Sequence, residues 1–248
     1  MAGDHHTRAR RQRLYRRFLP LAAATVGLAA VIVWAATPSS HPEPRPVSAA
    51  ATTTPVSTTT TIVAPPVTTT TDVGSLPQTT TLPSGASPQF QAAMQALFTS
   101  IVDGTPATAS TVFFPQSAYV QVKSINDATV DYEQRLVGEY DLDILATHAE
   151  LGTGAAGATL TSVQVPAQYA HWVPPGVCAN EVGYYEVANS RVVYTEDGTT
   201  RSFGIASLIS WRGEWYVVHL GAILRPGSGG VVLDPEAGVG SSAPSSTC

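Results

Sequence analysis

The sequence predicts an α+β protein in which N-terminal helices pack on an antiparallel sheet, preceded by one transmembrane helix and a disordered stalk. Apolar residues recur at helical spacing in the first half of the domain and alternate as in strands in the second half. Helices followed by an antiparallel sheet favour α+β over a parallel α/β fold. We divide the chain into a basic cytoplasmic tail (1–17), a transmembrane helix (18–36), a disordered Thr/Pro-rich stalk (37–87), an extracytoplasmic domain (88–225) and a flexible C-terminal tail (226–248).

The apolar stretch at 18–36 has the length and composition of a membrane span. Its nineteen uncharged residues rise about 1.5 Å each as a helix, close to the roughly 30 Å of bilayer hydrocarbon. Six arginines lie in the first seventeen positions, so the positive-inside rule leaves the N-terminus in the cytoplasm. The alternative is a signal peptide cleaved near Val33-Trp34-Ala35, which gives a secreted protein. Both interpretations export the domain.

The stalk contains four runs of Thr interleaved with Pro and cannot bury a core. It is either an O-glycosylated spacer or a bare one. An exported domain on such a stalk suggests a cell-wall or envelope protein as a partner. The C-terminal tail is rich in Gly, Ser and Pro, and only 231–233 is expected to pack.

The helical half begins with a clear signal. Ser87-Pro88 forms an N-cap and first turn, and Gly104 ends the amphipathic helix between them. A second short helix is expected from Thr105-Pro106 toward Phe114, whereas the type of the 118–122 stretch stays open. Periodic apolar residues from 127 to 151 indicate two helices or one kinked helix ending at Gly152.

The second half reads as strands at 183–187 and 191–194, followed by a turn at Asp197-Gly198. A hairpin is predicted from 201–211 to 214–223, with its turn at Arg212-Gly213. This register sets Ile209 opposite Tyr216 and Ile205 opposite Leu220.

Two resemblances add to this interpretation. The order of elements resembles the cone-shaped, cystatin-like fold of the nuclear transport factor and ketosteroid isomerase group, which implies a curved sheet with a cavity under the helices. The stretches FFPQSAYVQVK, WVPPGVC and RSFGIASLISWRGEWYVVHLGAI resemble an uncharacterised family of membrane-anchored actinobacterial proteins over most of 110–223. That family implies an envelope location but supplies no activity.

Charge argues against nucleic acid as a partner. Residues 87–225 carry thirteen acidic and six basic side chains, a formal charge of −7. The domain therefore lacks the basic patch that phosphate contacts need.

No motif predicts a cofactor or a metal. The pattern Gly152-Thr153-Gly154-Ala155-Ala156-Gly157 matches the dinucleotide fingerprint, but it follows a helix and precedes a strand, the reverse of what phosphate binding needs. Asp141-Leu142-Asp143 resembles a metal-binding pair, yet positions i and i+2 of a helix point apart, so a solvated helix start is expected. The domain's histidines, His148, His171 and His219, show no short metal-ligand spacing.

A cavity of the isomerase-like kind needs acid, phenol and imidazole groups. The candidates for a cavity or binding surface are Tyr119, Tyr140, Asp141, His219 and Trp172. Trp172, with Pro174 and Pro175, is expected in a loop that lines either a groove or the core.

The only two cysteines, Cys178 and Cys248, can pair internally in an oxidising compartment or cross-link two chains. The oligomeric state stays open.

The sequence favours a noncatalytic binding or scaffolding module at the cell envelope. The alternative is a small-ligand carrier or cavity enzyme of the isomerase-like fold. A cavity holding a buried carboxylate beside Tyr or His distinguishes the alternative from the favoured role.

Overall fold

The computed structural model describes residues 71–244 of the chain. Among those residues, no helix is both long enough and apolar enough to cross a bilayer. The predicted span at 18–36, the stalk as far as residue 70, and Cys248 lie outside the described residues.

The described chain is α+β, with helices first and an open antiparallel sheet after them, which confirms the predicted class. The helices are α1 (Pro88–Asp103), α2 (Gln116–Val122), α3 (Ala128–Val130), a π-helical segment (Asp131–Leu136) and α4 (Val137–Leu151), with short 3₁₀ turns at Val73–Ser75, Pro106–Ala109, Gly152–Gly157 and Ala167–Tyr169. The strands are β1 (Thr159–Gln164), β2 (His171–Val173), β3 (Tyr184–Glu196), β4 (Thr199–Trp211), β5 (Glu214–His219) and β6 (Leu233–Ala237).

The ends of α1 follow its sequence signals. The Ser87 hydroxyl accepts a hydrogen bond from the Phe90 amide at 3.1 Å, and Pro88 occupies the first turn, where its missing N–H costs nothing. Gly104 ends the helix at φ 61°, a conformation that glycine adopts without strain. These predictions are confirmed.

The helical run from Ala128 to Leu151 contains a π-helical segment rather than a break. The Val137 amide donates to the Tyr132 carbonyl, five residues back, just before Gly138. Gly152 ends the run at φ 55°. The run is therefore continuous, with a wider turn of helix where two helices or one kinked helix were predicted. Such wider turns are often found at functional sites.

The sheet has the order β1-β3-β4-β5, with β2 beside the first part of β3 and β6 beside the first part of β4; every pair is antiparallel. β3 is one long strand where two were predicted. The turn at Asp197-Gly198 is confirmed, because both residues have positive φ (49° and 73°), as a two-residue hairpin loop requires.

The β4–β5 hairpin turns at Arg212-Gly213 as predicted, with φ 52° and 83°. Ile209 lies opposite Tyr216, but Ile205 is not opposite Leu220, since a bulge shifts the register at Ser207. The bulge places Ser207 opposite His219. A bulge adds one residue to one strand and so re-aims the side chains beyond it.

The core lies between the helices and the sheet. Its largest fully buried aromatic side chains are Trp211, Tyr119, Tyr140, Phe90, Phe114 and Phe203. Residues 112–114 also cover the outer edge of β5, since the Phe114 amide donates to the Val217 carbonyl and the Val217 amide to the Val112 carbonyl. That backbone pairing closes an otherwise exposed sheet edge.

Packing extends before residue 88, into the segment that the sequence assigns to the stalk. The Trp211 indole donates to the Val73 carbonyl at 3.0 Å, and the Gln78 amide donates to the Ser210 carbonyl at 2.8 Å. A Thr/Pro-rich segment can make these contacts through its backbone oxygens and polar side chains, without apolar residues. Residues 72–87 are thus part of the folded domain.

The C-terminal segment also packs further than predicted. β6 pairs with β4 beyond Leu233, and the buried Arg191 donates to the Asp234 carbonyl at 2.9 Å. A side chain at Gly230 would meet the backbone of Leu142, so this segment passes directly against α4. The sequence places these residues in a flexible tail because the segment has few apolar side chains.

Candidate functional site

A cavity of about 520 Å³ opens between the helices and the sheet. Leu224, 90% exposed, and Ile223, 49% exposed, lie at its rim. The lining residues are Tyr119, Val122, Lys123, Arg135, Cys178, Tyr184, Glu186, Ser207, Ile209, Val218, His219, Ile223 and Leu224. Its volume is in the range of roughly 300–1,000 Å³ that small-molecule sites occupy.

The sheet gathers three polar residues at the cavity through its register. Glu186 lies opposite Ile209 across β3 and β4, and Ser207 lies opposite His219 across β4 and β5. The Ser207 hydroxyl donates to Glu186 Oε1 at 2.9 Å. Without the bulge, His219 would be displaced by one residue and its side chain would point to the other face.

Glu186 is a buried carboxyl group, 5% exposed. Burial raises its pKa, an effect partly offset by the Ser207 hydrogen bond, His171 and Lys123. His171 Nε2 lies 3.9 Å from Glu186 Oε2. A carboxyl of this kind holds a proton more readily than an exposed one.

Lys123 follows α2 and points its ammonium at the cavity wall. Its Nζ donates to Asn180 Oδ1 at 3.0 Å and to the Cys178 carbonyl at 3.4 Å. Burial, and then the nearby Arg135, lower the pKa of Lys123. Within residues 71–244 no carboxylate lies within ion-pair distance of this ammonium.

A hydrogen-bonded cluster fixes the helical wall. Arg135 donates to both carboxylate oxygens of Asp131 at 2.7 Å, and the Tyr119 hydroxyl donates to Asp131 Oδ2 at 2.5 Å. The Arg135 hydrogen bonds lower the pKa of Asp131, whereas burial raises the pKa of Tyr119. Asp131 and Arg135 belong to the π-helical segment, which therefore orients the phenol of α2.

His219 is a neutral imidazole at neutral pH. Burial, and then the positive charges of Arg135 and Lys123, together lower its pKa to about 4. Its Nδ1 lies 3.9 Å from Glu139 Oε2. A neutral ring offers one donor and one acceptor to the cavity.

The structure brings two of the predicted site residues, Tyr119 and His219, to the cavity. Tyr140 is buried behind it and donates to the Val217 and Val218 carbonyls. Asp141 is exposed on α4, outside the cavity.

Trp172, expected in a loop, belongs to β2 instead. Its ring packs edge-on against Tyr185 at 5.1 Å. Pairing of β2 with β3 makes this segment part of the sheet, so Trp172 does not line the cavity.

Sequence reasoning missed Lys123, Glu186, Ser207 and Arg135. The available signals were a charged residue in the apolar strand around Glu186 and the single lysine of the whole chain, Lys123. Neither signal shows by itself which face of its element the side chain takes.

Asp143 corrects the expectation of a solvated Asp-x-Asp pair. Its side chain is fully buried in the middle of α4 and accepts from Arg225, from the Gly221 amide and from the Val231 amide. It is a structural anchor for the C-terminal segment, whereas Asp141 points to solvent.

The remaining motifs have structural surroundings. The glycine-rich stretch forms a 3₁₀ turn between α4 and β1. The His148 ring contacts the Ile101 carbonyl at 2.9 Å. In the described part of the chain, no group of three or more His, Cys, Asp or Glu side chains can hold a metal ion. Cys178 lines the cavity, while its predicted partner Cys248 is outside the described residues, so their pairing stays a prediction.

No family model, curated protein or solved structure matches the chain.

Proposed function

We propose that the protein is a membrane-tethered extracytoplasmic module that binds a small ligand in the cavity between its helices and its sheet. The single observation that carries this proposal is the cavity itself, about 520 Å³ in volume, in which Lys123, Glu186 and His219 lie beside apolar side chains. The apolar lining residues are Val122, Ile209, Val218, Ile223 and Leu224. Small-molecule sites combine apolar walls with a few convergent polar groups in this way.

The cavity favours ligand binding over a purely scaffolding role. A scaffold acts through its outer surface and needs no internal space, whereas open volume beside buried polar groups is costly for stability. The proposal includes the curved, cone-shaped sheet of the ketosteroid isomerase-like fold, because helices preceding an antiparallel sheet with a cavity between them are what that resemblance implies. An envelope protein partner would act at the outer surface.

The cellular location of the protein is proposed from the sequence. Residues 18–36 supply the anchor, the arginines before them orient the N-terminus to the cytoplasm, and the domain lies outside. Mass spectrometry of the mature N-terminus tests this: an intact N-terminus supports the anchor, and cleavage after Ala35 supports secretion.

A second candidate is a cavity enzyme that transfers a proton. The observation that favours it is Glu186, whose burial raises its pKa toward the range in which a general base works near neutral pH. The Glu186 carboxyl would take the proton, and the neutral His219 ring would donate a hydrogen bond to the developing charge. Ligands found for the cavity identify the substrates to assay.

The test of the proposed function is a fragment screen by ligand-observed NMR on the full chain in lipid nanodiscs. Ile223→Trp places a large side chain at the half-exposed rim and should abolish most hits without disturbing the core. The matched control is Leu145→Trp, a comparably exposed position on α4 away from the cavity, which should keep them.

Hits that compete with one another and disappear only in Ile223→Trp support the proposal. An absence of hits, or hits that survive equally in both variants, would contradict it, because binding would then not involve the cavity.

A further inference from the structure

The positive charge of Lys123 differs from the other charges around the cavity. Arg135 is paired with Asp131 at 2.7 Å, and Arg225 is paired with Asp143 at 2.7 Å. Lys123 instead contacts only neutral oxygens, those of Asn180 and Cys178, and no carboxylate in 71–244 lies within ion-pair distance.

A half-buried ammonium with neutral partners is incompletely compensated. Removing it from water costs free energy unless an opposite charge approaches. Two hydrogen bonds use two of its three N–H groups, which leaves one to donate to a ligand. The ammonium therefore offers one strong, charge-assisted hydrogen bond to an anion.

We propose that Lys123 binds the carboxylate of a small ligand whose apolar body lies against Val122, Ile209 and the rim residue Ile223. This inference rests on the proposed ligand-binding function and names the chemical class of the ligand. A single ammonium without a carboxylate partner, beside the apolar side chains of Val122, Ile209 and Ile223, suits a monoanion with a compact hydrocarbon or aromatic body. A polyphosphate would need more cations than the cavity has free.

Glu186 sets the pH range of this binding. Its carboxylate would repel the ligand carboxylate when ionised, and would donate a hydrogen bond to it when protonated. Burial raises the pKa of Glu186, and a bound anion raises it further. Ligand binding is therefore coupled to protonation of Glu186 and weakens as the pH rises.

Other charged and titratable groups face these two residues from the elements packed around the cavity. They are Tyr119 of α2, Asp131 and Arg135 of the π-helical segment, Glu139 of α4, His171 of β2, Tyr184 of β3 and His219 of β5. Asp131 is held by Arg135 and Tyr119, and His219 is neutral above about pH 4. Within the described residues, Lys123 and Glu186 are thus the two residues whose charge interactions a bound carboxylate changes.

The experiment compares phenylpropionate with its neutral analogue phenylpropanol. Both are titrated calorimetrically into the full chain in nanodiscs, with empty nanodiscs subtracted. We expect the acid to bind about tenfold or more tightly than the alcohol, because a charge-assisted hydrogen bond in a cavity is worth roughly that factor. Lys123→Gln should remove the preference for the acid over the alcohol.

Two variants sharpen the test. Glu186→Gln imitates the protonated acid, so it should tighten acid binding several-fold near pH 8 and remove the weakening of acid binding that the ionisation of Glu186 causes as the pH rises. Arg212→Gln removes a positive charge at the β4–β5 turn, outside the cavity, and should change nothing. A loss of acid binding in Glu186→Gln as large as in Lys123→Gln would overturn the proposed role of Glu186.

The outcomes separate this inference from the proposed function. Equal binding of acid and alcohol, or an acid preference that survives Lys123→Gln, overturns the inference alone. Binding of neither probe, together with an empty fragment screen, overturns the proposed function as well.

Discussion

Replacing Asp143 by Asn should destabilise the domain more than any other single charge removal on α4. The carboxylate accepts four hydrogen bonds between 2.7 and 2.9 Å, two from Arg225 and one each from the Gly221 and Val231 amides. Asn has the same shape but only one acceptor oxygen, so its amide hydrogens would face another donor. The Arg225 guanidinium would also lose the closer of its two carboxylate partners and keep only Glu139, at 3.6 Å.

The expected cost follows from these contacts. Breaking a buried ion pair by removing one partner lowers stability by about 3–5 kcal/mol. For a domain of this size, each kcal/mol lowers the melting temperature by roughly 2–4 °C, so we expect a decrease of about 6–20 °C by circular dichroism. Because Arg225 directly follows the rim residues Ile223 and Leu224, ligand affinity should fall too.

The matched control is Asp141→Asn. It makes the same chemical change two residues away on an exposed side chain, where substitutions usually stay within about 0.5 kcal/mol. If the melting temperatures of Asp143→Asn and Asp141→Asn differ by less than about 2 °C, the anchoring role assigned to Asp143 is refuted.

Three further outcomes are expected. The unfolded state binds a proton at His219 near pH 6.5, but the folded state binds it only near the lowered pKa of about 4. Urea titrations should therefore show the free energy of unfolding decreasing by up to roughly 3 kcal/mol as the pH drops between these values. His219→Gln should lose that pH dependence. Gly230→Ala should lower stability by roughly 1–3 kcal/mol, because the added methyl meets helix backbone, while Gly229→Ala, with open space around it, should be neutral; equal melting temperatures would contradict this. Peptide mapping without reduction should recover Cys178 joined to Cys248 within one chain, and a dimer of chains on a non-reducing gel would favour the intermolecular alternative.

Local features of the fold could be predicted from the sequence because their causes are local. Ser87 and Gly104 bound α1 through a hydroxyl cap and a positive φ, and both hairpin turns need residues that tolerate positive φ. The bulge at Ser207 has no such signal, since any residue can supply it. The prediction of Ile205 opposite Leu220 failed for that reason.

The candidate site was predictable only in part because its main contacts are distant in the chain. Asp143 and Arg225 are 82 residues apart, and no local pattern links them, so a buried anchor looked like a solvated helix residue. Glu186 stands alone in an apolar strand, and Lys123 is the single lysine of the chain. Tyr119 and His219 were found because phenol and imidazole groups are candidates wherever a cavity is expected.

The most direct measurement is a methyl NMR titration of the full chain, labelled at Ile and Leu, with phenylpropionate. We expect the methyl signals of Ile209, Ile223 and Leu224, which line the cavity, to shift together with one dissociation constant, while Leu145 on the outer face of α4 stays unchanged. Shifts at Leu145 without shifts at Ile209 would contradict the proposed site, because the cavity would then not be where the ligand binds. The absence of any shift up to the solubility limit of phenylpropionate would contradict it as well.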